Sequence, residues 1–266
     1  MPTLSALHIF PVKSCAPLAL SEASVEPRGL VEDRRWMVVD AHGRFLTARK
    51  HPRMTLVDAH IVAGTLHVAA PGMPALAIRP DDDRGARLDV SVWGSSLSAR
   101  CADAQSERWI SDWLGQPARF VFMDEIAERA VDPAHAQPGD TVSFADGFPM
   151  LLISQAALDG LNERLARPVP MLRFRPNLVV AGTAAHAEDG WRRIRVGAVE
   201  FDVVKPCTRC VLTTVDHTRG EFDADGEPLR TLLGYRRTPT GVTFGQNLIP
   251  RSAGTLRVGD AVAVLA

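Results

Sequence analysis

Glycine, proline and aspartate interrupt the first ~100 residues so often that the apolar runs between them are strand-length, not helix-length. Leu4 to Val12 is one such run. Trp36-Met37-Val38-Val39 and Phe45-Leu46-Thr47-Ala48 flank Asp40-Ala41-His42-Gly43, a hairpin signal, and Ile61-Val62 and Leu66-His67-Val68 flank a second, Ala63-Gly64-Thr65. Leu88 to Val92 alternates with period two. Many short strands with tight punctuation close most readily into a barrel or a strongly curved sheet.

Helical spacing appears next. Trp109, Ile110, Trp113 and Leu114 share one face, Asp103 can cap the start and Gly115 the end. Residues 124–143 lack periodicity and carry Pro133, Pro138 and Gly139, so the boundary between two parts, 1–123 and 124–266, is expected there. Ser154 can open a further helix with Leu158, Leu161 and Leu165 on one face. Leu178-Val179-Val180 and Val199 to Val204 read as strands, a short helix fits near Leu229–Tyr235, and the end reads as two strand pieces around Gly259-Asp260. The expected fold is mainly β (α+β): an N-terminal β-barrel-like domain packed on a second β-barrel domain with a few helices.

The composition, 46% hydrophobic and 23% charged, is that of a globular protein with a full core. A net charge of −1 excludes a general polyanion-binding field, so nucleic acid is not an expected partner. No apolar run approaches membrane-spanning length, and no membrane association is expected. The Asp81-Asp82-Asp83 run reads as a solvated loop. Four cysteines without a secretory leader fit a reducing cytoplasm. There is no Gly-x-Ser-x-Gly, no P-loop and no Gly-x-Gly-x-x-Gly after a strand, which leaves serine hydrolase, NTPase and dinucleotide-binding classes unsupported.

Two of the four cysteines, Cys207 and Cys210, fall within one Cys-x-x-Cys. Such a pair can be a dithiol redox couple, half of a zinc site, a soft ligand to a cofactor metal, or two small buried hydrophobes. A redox couple is expected at the start of a helix, whereas β-branched Val211, Thr213, Thr214 and Val215 favour strand here. Zinc wants a second ligand pair, and Cys15 and Cys101 are single and distant. His217 reads as exposed in a turn, as does Asp216. Elsewhere Lys13-Ser14, Asp33-Arg34-Arg35-Trp36 and Arg173 to Asn177 offer groups suited to a phosphate or a heterocycle edge. Strand alternation would send Arg34 and Arg35 to opposite faces. Gly245 in Phe244-Gly245-Gln246-Asn247 is a place where backbone could approach a ligand.

Val12-Lys13-Ser14, Asp33-Arg34-Arg35-Trp36, Phe174-Arg175-Pro176-Asn177, Cys207 to Asp216, and Phe244-Gly245-Gln246 occur in one order. Together they make the chain resemble, over nearly its whole length, the MOSC proteins with an N-terminal β-barrel domain, the group that includes the mitochondrial amidoxime-reducing component and its bacterial counterparts. The resemblance implies a molybdenum cofactor between the barrel and the MOSC domain, with Cys210 as the molybdenum ligand and catalytic residue. It implies cofactor contacts from Lys13, Ser14, Arg34, Arg175, Asn177, Thr208 and Arg209, and from Asn247 beside the family's last contact. It further implies a small N-hydroxylated substrate and reduction by electrons from a separate partner protein. Two departures stand out. Gly147 and Phe148 replace hydroxyl-bearing residues, so any contact there is by backbone, and the Cys-x₄-Cys-x₂-Cys of a plant-type ferredoxin domain is absent, so no iron–sulfur cluster is expected in this chain.

Two rival readings accompany this one. MOSC domains also end molybdenum cofactor sulfurases, through which pyridoxal phosphate binding is associated with the family, so Cys210 could carry sulfur or the protein could handle cofactor. This sequence has no desulfurase domain of its own. The other rival is a binding or structural module with merely buried cysteines. Cys207 is expected to be a packed neighbour of Cys210, not its redox partner.

Overall fold

The computed structural model describes residues 1–79 and 86–266. The run Asp81-Asp82-Asp83 lies outside the described residues.

The largest sheet has nine strands. Its order is Leu18–Leu20, Thr3–Ile9, Leu178–Ala181, Met150–Ser154, Gly241–Pro250, Val199–Thr208, Arg193–Val196 and Val262–Val264, with Arg237–Thr238 paired to the side of Gly241–Pro250. The N-terminal strand therefore lies inside a sheet otherwise built mostly from the second half of the chain. The sheet also closes on itself: Leu4 N–H donates to Asp260 O at 2.8 Å, Val262 N–H donates to Pro2 O at 2.9 Å, and Thr3 bridges Ala261. Closure removes the open edges that would otherwise invite pairing with another chain.

Met150–Ser154 pairs in parallel with Leu178–Ala181, and helix Gln155–Asn162 begins the connection between them. Ser154 caps that helix, its hydroxyl accepting from Ala157 N–H at 3.3 Å. Met150–Ser154 is buried at every position because both faces are covered. Met150 and Leu152 face the barrel interior with Leu4, Leu7 and Phe201, while Leu151 and Ile153 face a second core with Leu158, Leu161 and Phe174.

The N-terminal part adds two further antiparallel sheets. One has the order Trp36–Asp40, Ala118–Phe122, Ser95–Cys101, Arg87–Val92, and the other is Asp58–Val62, Thr65–Ala70, Met73–Ile78. Alternation along Trp36–Asp40 again serves two cores: Trp36 and Val38 pack with Trp109 and Trp113, and Met37 and Val39 pack with Val90 and Phe144. Helix Ala104–Leu114 ends as the sequence dictates, with Asp103 accepting from Ser106 N–H at 2.7 Å and Gly115 left-handed at φ 67°. Phe45 joins the hairpin only through a bridge to Val39, and no strand continues to Ala48. Between Phe122 and Met150 the chain forms no named strand or helix. This segment is held internally by Arg129 and from outside by Arg251, whose guanidinium grips the Asp140 carboxylate at 2.7 and 3.0 Å.

Candidate active site

Cys207 lies near the end of strand Val199–Thr208, opposite Gly241–Pro250. The pairing register shifts between Pro206 and Thr208, where Cys207 alone opposes Phe244 and Gly245, so the extra residue of the bulge belongs to the partner strand, and Pro206 sits where a missing N–H is tolerated. Cys210 then opens a single 3-10 turn, Val211–Thr214. The strand expected from Val211 to Val215 is corrected accordingly: only Val215–Asp216 is strand. Its β-branched residues are diverted because Thr213 N–H and hydroxyl both bond Cys210 O, and the Thr214 hydroxyl bonds Val211 O at 2.8 Å.

Each sulfur has its own guanidinium. Arg49 Nε donates to Cys210 Sγ at 3.0 Å, and Arg209 Nη1 donates to Cys207 Sγ at 2.9 Å. Arg209 is braced by donating from Nη2 to Phe174 O at 2.6 Å.

Across from the sulfurs, Lys13 and Ser14 form a turn held by Lys13 N–H to Trp36 O at 2.8 Å. Lys13 Nζ donates to Phe144 O at 2.7 Å and to Asp146 Oδ1 at 2.6 Å. Asp146 Oδ2 accepts from Arg49 Nη2 at 2.7 Å. Arg129, buried, donates to the carbonyls of Ser143, Ala145 and Asp146 and so shapes the turn that presents Asp146.

Arg34 donates to its neighbour's carboxylate, Asp33 Oδ2, and to Asn177 Oδ1 at 3.0 Å. Arg175 donates to Cys15 O at 2.7 Å, and both guanidinium groups lie over Phe10, 4.3 and 4.1 Å from its ring centroid. Ser14, Arg34 and Arg175 all adopt left-handed backbone, at φ 70°, 50° and 56°. Non-glycine residues held there against local preference concentrate at functional sites. Arg34 and Arg35 do diverge, Arg35 turning away to Met123 O and Glu125, but the left-handed Arg34 causes it; the strand begins only at Trp36.

All nine residues expected from the sequence (Lys13, Ser14, Arg34, Arg175, Asn177, Thr208, Arg209, Cys210 and Asn247) line one cleft of about 850 Å³, its open mouth included. Cys207, Gly147 and Phe148 line it too. Asn177 is fully buried and already engaged, accepting from Arg34 and Leu151 N–H and donating to His8 O, so it positions Arg34. Asn247 donates to Lys205 O at 3.1 Å.

Five cations line the cleft against one carboxylate. The positive field that the near-neutral chain lacks as a run is assembled from distant segments. Burial pulls the Lys13 pKa down to about 8, against the partial support of Asp146. Burial, then Arg34, pull Arg175 down to about 9. Burial alone would raise the Asp146 carboxyl, but Lys13 and Arg49 outweigh it and hold it well below the carboxylate range. Although dense protein surrounds it, its side chain remains 57% exposed to the cleft solvent. Cys15 is a different case: burial pushes its thiol up to about 12, and it serves as packing.

Arg49, Asp146 and Arg129 carried no sequence signal. Gly245 does not line the cleft; a Cβ there would meet Leu152 O at 2.7 Å, so the glycine permits close strand packing. His217 is half-buried, not exposed, in the loop after the 3-10 turn, where Asp216 Oδ1 takes the turn role by accepting from Thr218 N–H at 3.0 Å.

A closed β-barrel against a second β-domain, with a thiol in a cationic cleft, forms a β protein whose cleft suits an anionic ligand. The MOSC N-terminal beta barrel domain matches residues 1–117 and the MOSC domain matches residues 139–263, and the chain belongs to the MOSC family. It is 36% identical to mitochondrial amidoxime-reducing component 1 of Mus musculus, over 99% of this chain and 82% of that protein. The Xenopus laevis component 1 is 34% identical over 97% and 81%, and that of Homo sapiens 33% identical over 99% and 83%.

Proposed function

We propose that the protein is a molybdenum-cofactor-binding oxidoreductase that reduces N-hydroxylated compounds with electrons from a separate protein. One observation carries this reading: residues from seven separate segments meet around the Cys210 thiol in a cleft with a strong excess of positive charge. The parts 1–123 and 124–266 would each supply half, Lys13, Arg34 and Arg49 from one and Arg175, Arg209 and Cys210 from the other.

The residues present fit the cofactor. Arg175 Nη2 and Arg209 Nε are buried without a hydrogen-bond partner, and buried donors of this kind call for an acceptor. The phosphate and pterin edges of the cofactor would provide acceptors for Lys13, Ser14, Arg34, Arg175, Thr208, Arg209 and Asn247, with Asn177 holding Arg34 in place. Cys210 Sγ is the soft ligand that molybdenum would take. When bound, the cofactor supplies the two-electron redox couple.

The relatives are named as amidoxime-reducing, which supplies the substrate class. The overall conversion takes R–NHOH, two electrons and two protons to R–NH₂ and water. Asp146 stays ionised and offers an acceptor to a substrate N–H. Lys13, with its pKa near 8, is protonated at neutral pH and releases the Nζ proton more readily than Arg175 releases its own. The four cysteines do not gather into a cluster-binding set: Cys15 and Cys101 are buried apart from the cleft. Electrons would come from a separate protein.

The test is elemental molybdenum and fluorescent-pterin analysis of protein from a cofactor-competent host, alongside Cys210→Ala. Stoichiometric molybdenum, and reduction of an amidoxime that the variant loses while keeping its circular dichroism, is the expected result. Absence of both metal and pterin, or reduction retained by the variant, overturns it.

A further inference from the structure

Strands Arg87–Val92 and Ser95–Cys101 form a hairpin closed by two residues, Trp93-Gly94, with Val92 paired to Ser95. Trp93 takes the left-handed position at φ 53°. Glycine, asparagine or aspartate is the ordinary occupant there, and a bulky residue is an outlier. Nor does the indole recover the cost by burial. It is 47% exposed, whereas Trp36, Trp109 and Trp113 are at most 5% exposed.

Its ring contacts lie around the cleft. The Arg49 guanidinium is 4.5 Å from the ring centroid, the Lys13 ammonium 6.0 Å, and Nε1 donates to Asp146 Oδ1 at 3.3 Å. The Phe45 ring packs 5.0 Å away, tilted by 58°. A large aromatic is thus held in unfavourable backbone against three residues of the cleft: Lys13, Asp146 and Arg49, the arginine that touches Cys210.

We propose that Trp93 is a specificity-determining residue: its open indole surface is the platform on which planar, conjugated N-hydroxylated groups stack, favouring aromatic amidoximes and N-hydroxylated heterocyclic bases over small aliphatic ones. This inference rests on the reductase reading above. A stacked amidoxime would present its N–H to the ionised Asp146 carboxylate at the indole edge.

The test compares benzamidoxime with acetamidoxime as substrates of wild type, Trp93→Ala and Trp93→Phe holoenzyme, with rates expressed per bound molybdenum. Trp93→Ala should raise KM for benzamidoxime about two- to tenfold relative to KM for acetamidoxime, the range of an aromatic pair, with kcat changing alike for the two substrates. Trp93→Phe should restore most of the KM. Independently, benzamidoxime should quench tryptophan emission of wild-type holoenzyme, and the quench should vanish in Trp93→Phe, whose fold a near-UV spectrum checks. Equal effects on both substrates, a loss confined to kcat, or a quench unchanged in Trp93→Phe overturns the proposal and gives Trp93 the lesser role of holding Arg49. If wild type reduces neither amidoxime, the reductase reading falls, and the quench titration still decides whether the indole meets a planar ligand.

Discussion

Arg49 Nε donates to Cys210 Sγ at 3.0 Å, joining residues 161 positions apart. The same guanidinium reaches Asp146 Oδ2 at 2.7 Å. One side chain from the first part of the chain therefore fixes the thiol and the carboxylate of the second. A planar fork can serve two acceptors at once; an ammonium on a flexible stem cannot keep both geometries. Arg49→Lys should therefore behave more like Arg49→Met than like wild type. Loss of one charge-assisted hydrogen bond, about 1.5–3 kcal/mol, corresponds to a loss of roughly ten- to a hundredfold in turnover per bound molybdenum. Steady-state kinetics normalised to metal content checks it, and full activity in Arg49→Lys would show that only charge matters.

Lys13 gives a pH signature. Its folded pKa is about 8, below the ordinary 10.5, because burial disfavours the ammonium. Below pH 8 both folded and unfolded forms bind the proton, and the cost of burying the charge is fully present. Between pH 8 and 10.5 the unfolded chain holds a proton that the folded chain has released, so stability rises with pH. Lys13→Met lacks this titration. The stability of wild type relative to Lys13→Met should increase by about 2 kcal/mol between pH 7 and pH 10, measured by urea denaturation at each pH. A constant difference would mean that Lys13 titrates normally.

Arg129 has three backbone acceptors and, among the described residues, no hydrogen-bonded carboxylate partner. Arg129→Met would leave the carbonyls of Ser143, Ala145 and Asp146 without their donor in a buried turn. It should lower stability by about 3–5 kcal/mol and reduce molybdenum retention, since Asp146 and the Lys13 anchor at Phe144 O ride on that turn. Thermal unfolding with metal analysis reads both, and a variant that loses stability yet binds metal normally would separate the turn from the cleft.

The sequence made part of this visible for reasons that can be named. Asp103, Gly115 and Ser154 cap through neighbours within a few residues, so local pattern suffices. Hairpin turns at Asp40–Gly43 and Ala63-Gly64 are equally local. The nine cleft residues were legible through ordered motifs. Arg49, Asp146, Arg129 and Trp93 were not, because each acts only across long chain separations, and residues 123–149 have no periodicity from which an orientation could be read. The run from Val211 to Val215 misled because β-propensity was overridden by threonine hydroxyls folding back on the preceding carbonyls.

Gly245 lies in Gly241–Pro250, the strand between Met150–Ser154 and Val199–Thr208 that carries Asn247 to the cleft. At φ 81° it bends that strand, and a Cβ would stand 2.5 Å from Ile153 Cγ1 and 2.7 Å from Leu152 O. The second atom is backbone within a paired strand and cannot move alone. Gly64 has a similar φ, 76°, at an open hairpin tip with nothing within 4 Å. Comparing alanine at the two sites separates backbone strain from overpacking. Gly64→Ala should lose about 1 kcal/mol, the left-handed penalty alone, and Gly245→Ala about 3 kcal/mol, strain and overpacking together. Urea midpoints measure both. Equal losses would show that the sheet absorbs the extra carbon, and that the close approach of these strands is not what requires glycine at 245.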